Sequence, residues 1–266
     1  MEILNPWTAL GDPGRDHYLL SDSAVDMTRP TAPPRALRLP AQPQNIVVDL
    51  NKCALVVIDM QNDFCAPGGW FDSLGAPLEG TRKLFDPINR VAKALRAQRV
   101  PIVWLNWGVR GDKANLSPVT RYAFHRVGCG IGLADPMKQR PPRAEGTPNG
   151  VLQHSAWGAA VVDELQVQSG DIQVSKHRIS GFWDTPLDSI LRTHGVRSLF
   201  FAGVNADHCV LATLMDANFM GYDTILLEDC TATSSPEFCL QATLHNVRFC
   251  FGFTVSSTDL AREAQT

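Results

Sequence analysis

The sequence predicts an α/β protein: a doubly wound, mostly parallel six-stranded sheet with helices on both faces, an α/β/α sandwich. Three observations carry this. Two short runs, Ala54–Ile58 and Leu199–Ala202, are wholly apolar and fit strands buried on both faces. Stretches with apolar residues at helical spacing fall between several of the expected strands. Strands alternate with helices from residue 54 to 255, the order that builds a parallel sheet through right-handed crossovers.

Composition bounds the rest. A 266-residue chain with 44% hydrophobic residues can bury a sizeable core. A net charge of −3 gives no nucleic-acid surface, and no apolar run reaches membrane-spanning length. The N-terminus lacks the basic and apolar regions of a secretory signal, so a cytoplasmic protein is expected. Seven cysteines, an odd number without regular spacing or a Cys-x-x-Cys pair, point to reduced thiols rather than a disulfide framework or a zinc ribbon.

Residues 1–46 hold seven of the 18 prolines and read as an extended N-terminal arm. Trp7, Tyr18, Leu19 and Leu20 favour docking over free disorder. The domain proper is 47–266. Its first strand is Ala54–Asp59, followed by a loop from Met60 to Gly69. Leu84, Ile88, Val91 and Leu95 mark a helix over Leu84–Gln98, and Pro101–Leu105 is the second strand. From Asn106 to Asn149 periodicity is weak, and a loop so long is either functional or disordered. Between Arg110 and Arg143 it carries seven Lys or Arg against two Asp. That excess is either a solvated surface or a lid that attracts an anion. Asp171–Lys176 is the third strand. Thr185 caps a helix that Pro186 begins and Gly195 ends. The fourth strand begins at Leu199 and stops at Gly203; the fifth is Asp223–Leu227. A helix follows over Pro236–Asn246, and Phe249–Val255 is the last strand.

Asp59, Lys176 and Cys209 stand at or just beyond the carboxyl ends of three strands, where open parallel sheets bind ligands. Each has a plainer reading: a turn-capping Asp, a surface Lys, a small core Cys. Together they are a consistent chemical set. Cys209 lies where a strand gives way to a helix, a position that eases thiol ionisation. Lys176 can hold a thiolate by charge, and Asp59 can take the thiol proton and return it to a leaving amine.

Three segments then resemble the isochorismatase-like cysteine hydrolases: Val56-Val-Ile-Asp-Met-Gln-Asn-Asp-Phe64, Ser175-Lys-His-Arg-Ile-Ser-Gly-Phe182 and Gly203-Val-Asn-Ala-Asp-His-Cys-Val210. The resemblance covers about 50–256. It implies Asp59 as base, Lys176 as its partner and Cys209 as nucleophile in C–N bond hydrolysis. It also implies a cis peptide at Val204–Asn205, with the backbone N–H groups of Asn205 and Cys209 as an oxyanion hole. Pro67-Gly-Gly-Trp70, Lys176–Phe182 and Thr185–Arg192 look most like ureidoacrylate amidohydrolases, with biuret hydrolases close by. The chain departs from that pattern at Asn205-Ala-Asp-His208.

The expected activity is therefore an amidohydrolase acting on a small ureido or carbamoyl compound with release of ammonia. The alternatives are another small carboxamide or a silent family member acting as a binding subunit. Vinyl-ether hydrolysis of the isochorismatase kind uses no nucleophilic cysteine. Phe64, Trp107, Phe182 and Trp183 are candidate pocket walls, and Arg121 and Arg126 candidate anchors for an anionic substrate. His177 and His208 read as orienting residues. Metal-binding relatives use an Asp and several His, yet after Asp59 the next His is His125. No metal or other cofactor is expected. A small-molecule substrate is the expected partner, with no nucleic acid and no membrane, and the assembly is expected to be a homo-oligomer, dimer or tetramer.

Overall fold

A computed structural model describes residues 7–30, 32–137 and 146–265. Lys138, Arg140 and Arg143 of the basic stretch lie outside the described residues.

Thr8–Gly11 (β1), His17–Leu20 (β2) and Val25–Asp26 (β3) pair antiparallel in a small sheet. Ala36–Leu39 (β4) and Ile46–Asp49 (β5) form an antiparallel hairpin. Alternation along β4 turns Leu37 and Leu39 into the core, and Gln42 bridges to Thr254 near the C-terminus. The expected boundary at 46/47 thus falls inside a hairpin, and the core takes up residues from about 36. The flanking prolines hide that short alternation in the sequence. Further out, Arg15 ties the segment to the domain by donating to the carbonyls of His194 and Arg99.

The main sheet consists of Cys53–Ile58 (β6), Ile102–Trp107 (β7), Ile172–Lys176 (β8), Ser198–Val204 (β9), Asp223–Ala232 (β10) and Phe253–Val255 (β11). Its order is β11-β10-β9-β6-β7-β8, with every pair parallel. The six-stranded parallel sheet expected from the apolar runs is present, and β6, β7 and β9 are buried throughout.

The helices packed around the sheet are Asn62–Cys65 (α1), Trp70–Ser73 (α2), Glu79–Arg82 (α3), Phe85–Ala97 (α4), Pro118–Val127 (α5), Leu187–Thr193 (α6), Leu211–Phe219 (α7), Glu237–Asn246 (α8) and Ser257–Glu263 (α9). α4 packs its apolar stripe on α9 and the sheet. No helix among the described residues is long and apolar enough to cross a membrane.

Three local expectations are corrected. The stretch from Met60 to Gly69 contains α1. The long loop after β7 contains α5, which Ser117 caps by accepting from the Thr120 N–H, with Pro118 in its first turn. The last strand begins at Phe253, because Val247–Phe251 extends α8 as a π-helical turn. The apolar run there mimics a strand although Phe249 is exposed.

The strand order reverses between β6 and β9, whose loops must diverge and leave a crevice at their carboxyl ends. Gly203 allows the two strands to meet there. It has φ +110°, and a Cβ on it would sit 2.0 Å from the Ile58 carbonyl oxygen. Gly203→Ala is expected to destabilise the fold by about 2–4 kcal/mol. The check is a lower urea midpoint at unchanged slope.

Candidate active site

Asp59 follows β6 in the left-handed region, φ 55°, a conformation Asp tolerates better than most residues. It turns the chain at the crevice, and its N–H donates to the Leu105 carbonyl. Lys176 ends β8, and Cys209 lies in a π-helical turn, Ala206–Val210, between β9 and α7. The Lys176 Nζ is 3.0 Å from Asp59 Oδ2 and 3.3 Å from Cys209 Sγ. It also donates to the Arg178 carbonyl at 3.2 Å. Three residues far apart in sequence therefore meet around one ammonium. Asp59 and Lys176 are almost wholly buried, and Cys209 is 5% exposed.

Burial sets the electrostatics. It pushes the Asp59 carboxyl above its ordinary range, against the pull of the Lys176 charge. It pushes the Cys209 thiol up to about 12, with the neighbouring Asp59 charge adding to the rise. The expectation that a helix start eases ionisation of this thiol is thus outweighed by desolvation and a carboxylate. The Lys176 ammonium thus stands within ion-pairing distance of Asp59, beside a thiol whose ionisation burial opposes. A buried carboxylate of raised basicity, next to a thiol and an ammonium, is suited to take that thiol's proton as the sulfur attacks.

Supporting bonds fix the geometry. The Trp107 N–H donates to Asp59 Oδ1 at 3.2 Å and to Gln61 Oε1 at 2.9 Å, and Gln61 Nε2 returns a bond to the Trp107 carbonyl. Thr213 Oγ1 donates to the Cys209 carbonyl and accepts from the Gly181 N–H, joining α7 to the loop after Lys176. The Asn205 side chain accepts from the Ser234 N–H. The Val204–Asn205 peptide is cis. His208 lies 3.4 Å from Asp207, and His177 lies 3.7 Å from Asp184.

A cavity of about 290 Å³ opens at the crevice. Asp59, Cys209 and Asn205 stand at its polar end, and Phe64, Trp107 and Arg126 on its walls. Other expected wall residues sit elsewhere. Arg121 borders a separate hollow with Lys113, His125 and Asp135. Phe182 packs 5.8 Å from the Tyr222 ring. Trp183 is 60% exposed and donates its indole N–H to Asp216. The chain after Lys176 reaches the cavity through Ile179, and these last two lie beyond it. Two charges of the basic stretch are also spoken for, Arg110 by Asp112 and Lys113 by Asp135.

Sequence reasoning missed Trp70, Phe71 and Phe124. Phe124 comes from α5 and meets Trp70 at 6.0 Å and Trp107 at 5.0 Å. Ser117-Pro118 and Gly128 were the available signals for that helix. Among the described residues, no three His, Cys, Asp or Glu side chains are grouped to hold a metal ion.

Residues 53–259 match the model of the isochorismatase domain. The chain is 37% identical over 217 residues to the ureidoacrylate amidohydrolase RutB of Klebsiella variicola (strain At-22), covering 82% of this chain and 89% of that protein. The RutB protein of Klebsiella pneumoniae (strain 342) is 36% identical over the same length and shares. Among solved structures, a cysteine hydrolase from Pseudomonas syringae pv. phaseolicola 1448A superposes with a TM-score of 0.68 at 23% identity, over 90% of this chain and 99% of that one. The N-carbamoylsarcosine amidase of Thermoplasma acidophilum gives 0.56 at 25% identity, over 77% and 96%.

Proposed function

The chain belongs to the isochorismatase family, and on that premise we propose that it is a cysteine-dependent amidohydrolase cleaving a C–N bond of a small ureido or carbamoyl compound. The observation that carries this reading is the meeting of Asp59, Lys176 and Cys209 around one buried ammonium, with Asp59 and Cys209 lining a cavity. The named activity of the RutB relatives supports the ureido class.

In this reading the Cys209 sulfur attacks the ureido carbonyl carbon as its proton passes to Asp59. Lys176 holds the sulfur and the carboxyl in register. The backbone N–H groups of Asn205 and Cys209 receive the negative charge that develops on the carbonyl oxygen. The C–N bond breaks, the proton on Asp59 goes to the nitrogen, and ammonia leaves. Water, deprotonated by Asp59, then attacks the thioester-like adduct, restores the thiol and releases a carbamate.

The cavity also supports an anionic group on the substrate. Its walls are aromatic, and Arg126 stands among them. Arg126→Ala is expected to raise KM for an anionic ureido acid about threefold and to leave KM for neutral biuret unchanged. Steady-state kinetics on both compounds at low and moderate salt would check it. Good turnover of a simple carboxamide, with none of any ureido compound, would replace the substrate class and leave the cysteine chemistry standing.

A further inference from the structure

The sheet order poses a problem that one side chain resolves. Asp59 follows β6 and Lys176 ends β8, and β7 lies between them. Adjacent strands are about 4.8 Å apart, so the lysine must reach across the end of β7 to touch Asp59 and Cys209. The residue it crosses is Trp107, its register partner. The Trp107 ring lies beneath the ammonium, with Nζ 4.0 Å from the ring centroid. Its main-chain N–H holds Asp59 Oδ1. Its indole N–H is buried beside Cys209 and is among the groups opposing the rise of that thiol. One residue thus bears on all three members of the site.

We propose that Trp107 is a positioning residue, whose indole holds the Lys176 ammonium in place between Asp59 and Cys209. A ring face attracts a desolvated cation strongly, whereas an aliphatic wall of similar volume offers nothing to it. The proposal rests on the reading of Cys209 as nucleophile, and it gives Trp107 a part beyond lining the cavity.

The test uses iodoacetamide, a small neutral alkylator, so that it needs no knowledge of the substrate. The rate of Cys209 alkylation is followed against pH in the full chain, with the modified residue identified by mass. In Trp107→Leu the profile is expected to move to higher pH, with alkylation at neutral pH slower by about 30-fold. Trp107→Phe keeps a ring and the fold's packing, and should fall between that variant and the native protein. With a ureido substrate, both should lower kcat more than they raise KM. Phe71→Leu, a change in the same cavity at a ring that does not meet Trp107, should alter KM and leave the alkylation profile in place. An unshifted profile in both Trp107 variants, with only KM changed, would reduce Trp107 to a wall. Equal alkylation of the native protein and Asp59→Asn at every pH would overturn the triad reading itself, and the role of Trp107 with it.

Discussion

Cys209→Ser binds the ureido substrate with nearly native affinity and loses about 10⁴-fold or more in kcat: this is the largest effect expected from a single substitution here. The reason lies in the proton balance. A serine hydroxyl at this position keeps the volume and the contact with Lys176. Its pKa lies far above that of a thiol that burial has already pushed up to about 12, so Asp59 cannot relieve it of its proton. Groups that act as a unit lose most of their effect when one is removed. Equilibrium binding of the unreacted substrate, followed by ammonia release, measures both halves. Ammonia release at the native rate in this variant would end the nucleophile assignment.

The second large effect is at Lys176. Lys176→Met leaves a side chain of similar length with no charge and removes the cation that holds Asp59 down. Turnover should fall by about 10³-fold or more, because the sulfur loses its charged neighbour and the carboxyl its alignment. Stability should change as well. Asp59 is almost wholly buried, and stranding a charge there costs about 3–5 kcal/mol. The carboxyl, already raised by burial, rises further in the variant and takes up a proton. A group whose folded pKa lies above its unfolded value stabilises below the unfolded value, and that contribution is lost as pH rises through the folded one. Lys176→Met should therefore be closest to native stability in acid and fall away towards neutral pH. Asp59→Asn added to it should remove that dependence. Denaturant midpoints across pH decide the matter: a stability deficit independent of pH would mean that Asp59 is not the group responding.

Much of this was legible in the sequence, for reasons that can be stated residue by residue. Continuous apolar runs such as Ala54–Ile58 and Leu199–Ala202 fit strands buried on both faces, and their alternation with helices pointed to the parallel sheet. Asp59, Lys176 and Cys209 stood out because each is a chemically capable group at or just beyond the carboxyl end of an expected strand. Helix α5 escaped because it pairs a short apolar face with exposed Val119 and Tyr122, which blurs its period. Phe249 misled for the opposite reason, since an exposed aromatic in an apolar run looks like core.

The sequence by itself determined the fold class, the three candidate site residues and the family the chain resembles. These depend on local composition and on spacing, which the chain carries openly. Only the tertiary structure decided which strands adjoin, and so that Lys176 must cross Trp107 to reach Asp59 and Cys209. It decided that Phe124 and Arg126 line the cavity while Arg121, Phe182 and Trp183 lie elsewhere. It also decided that burial raises both the thiol and the carboxyl that meet there. Desolvation depends on everything packed around a group from distant parts of the chain, and no local stretch of sequence records it.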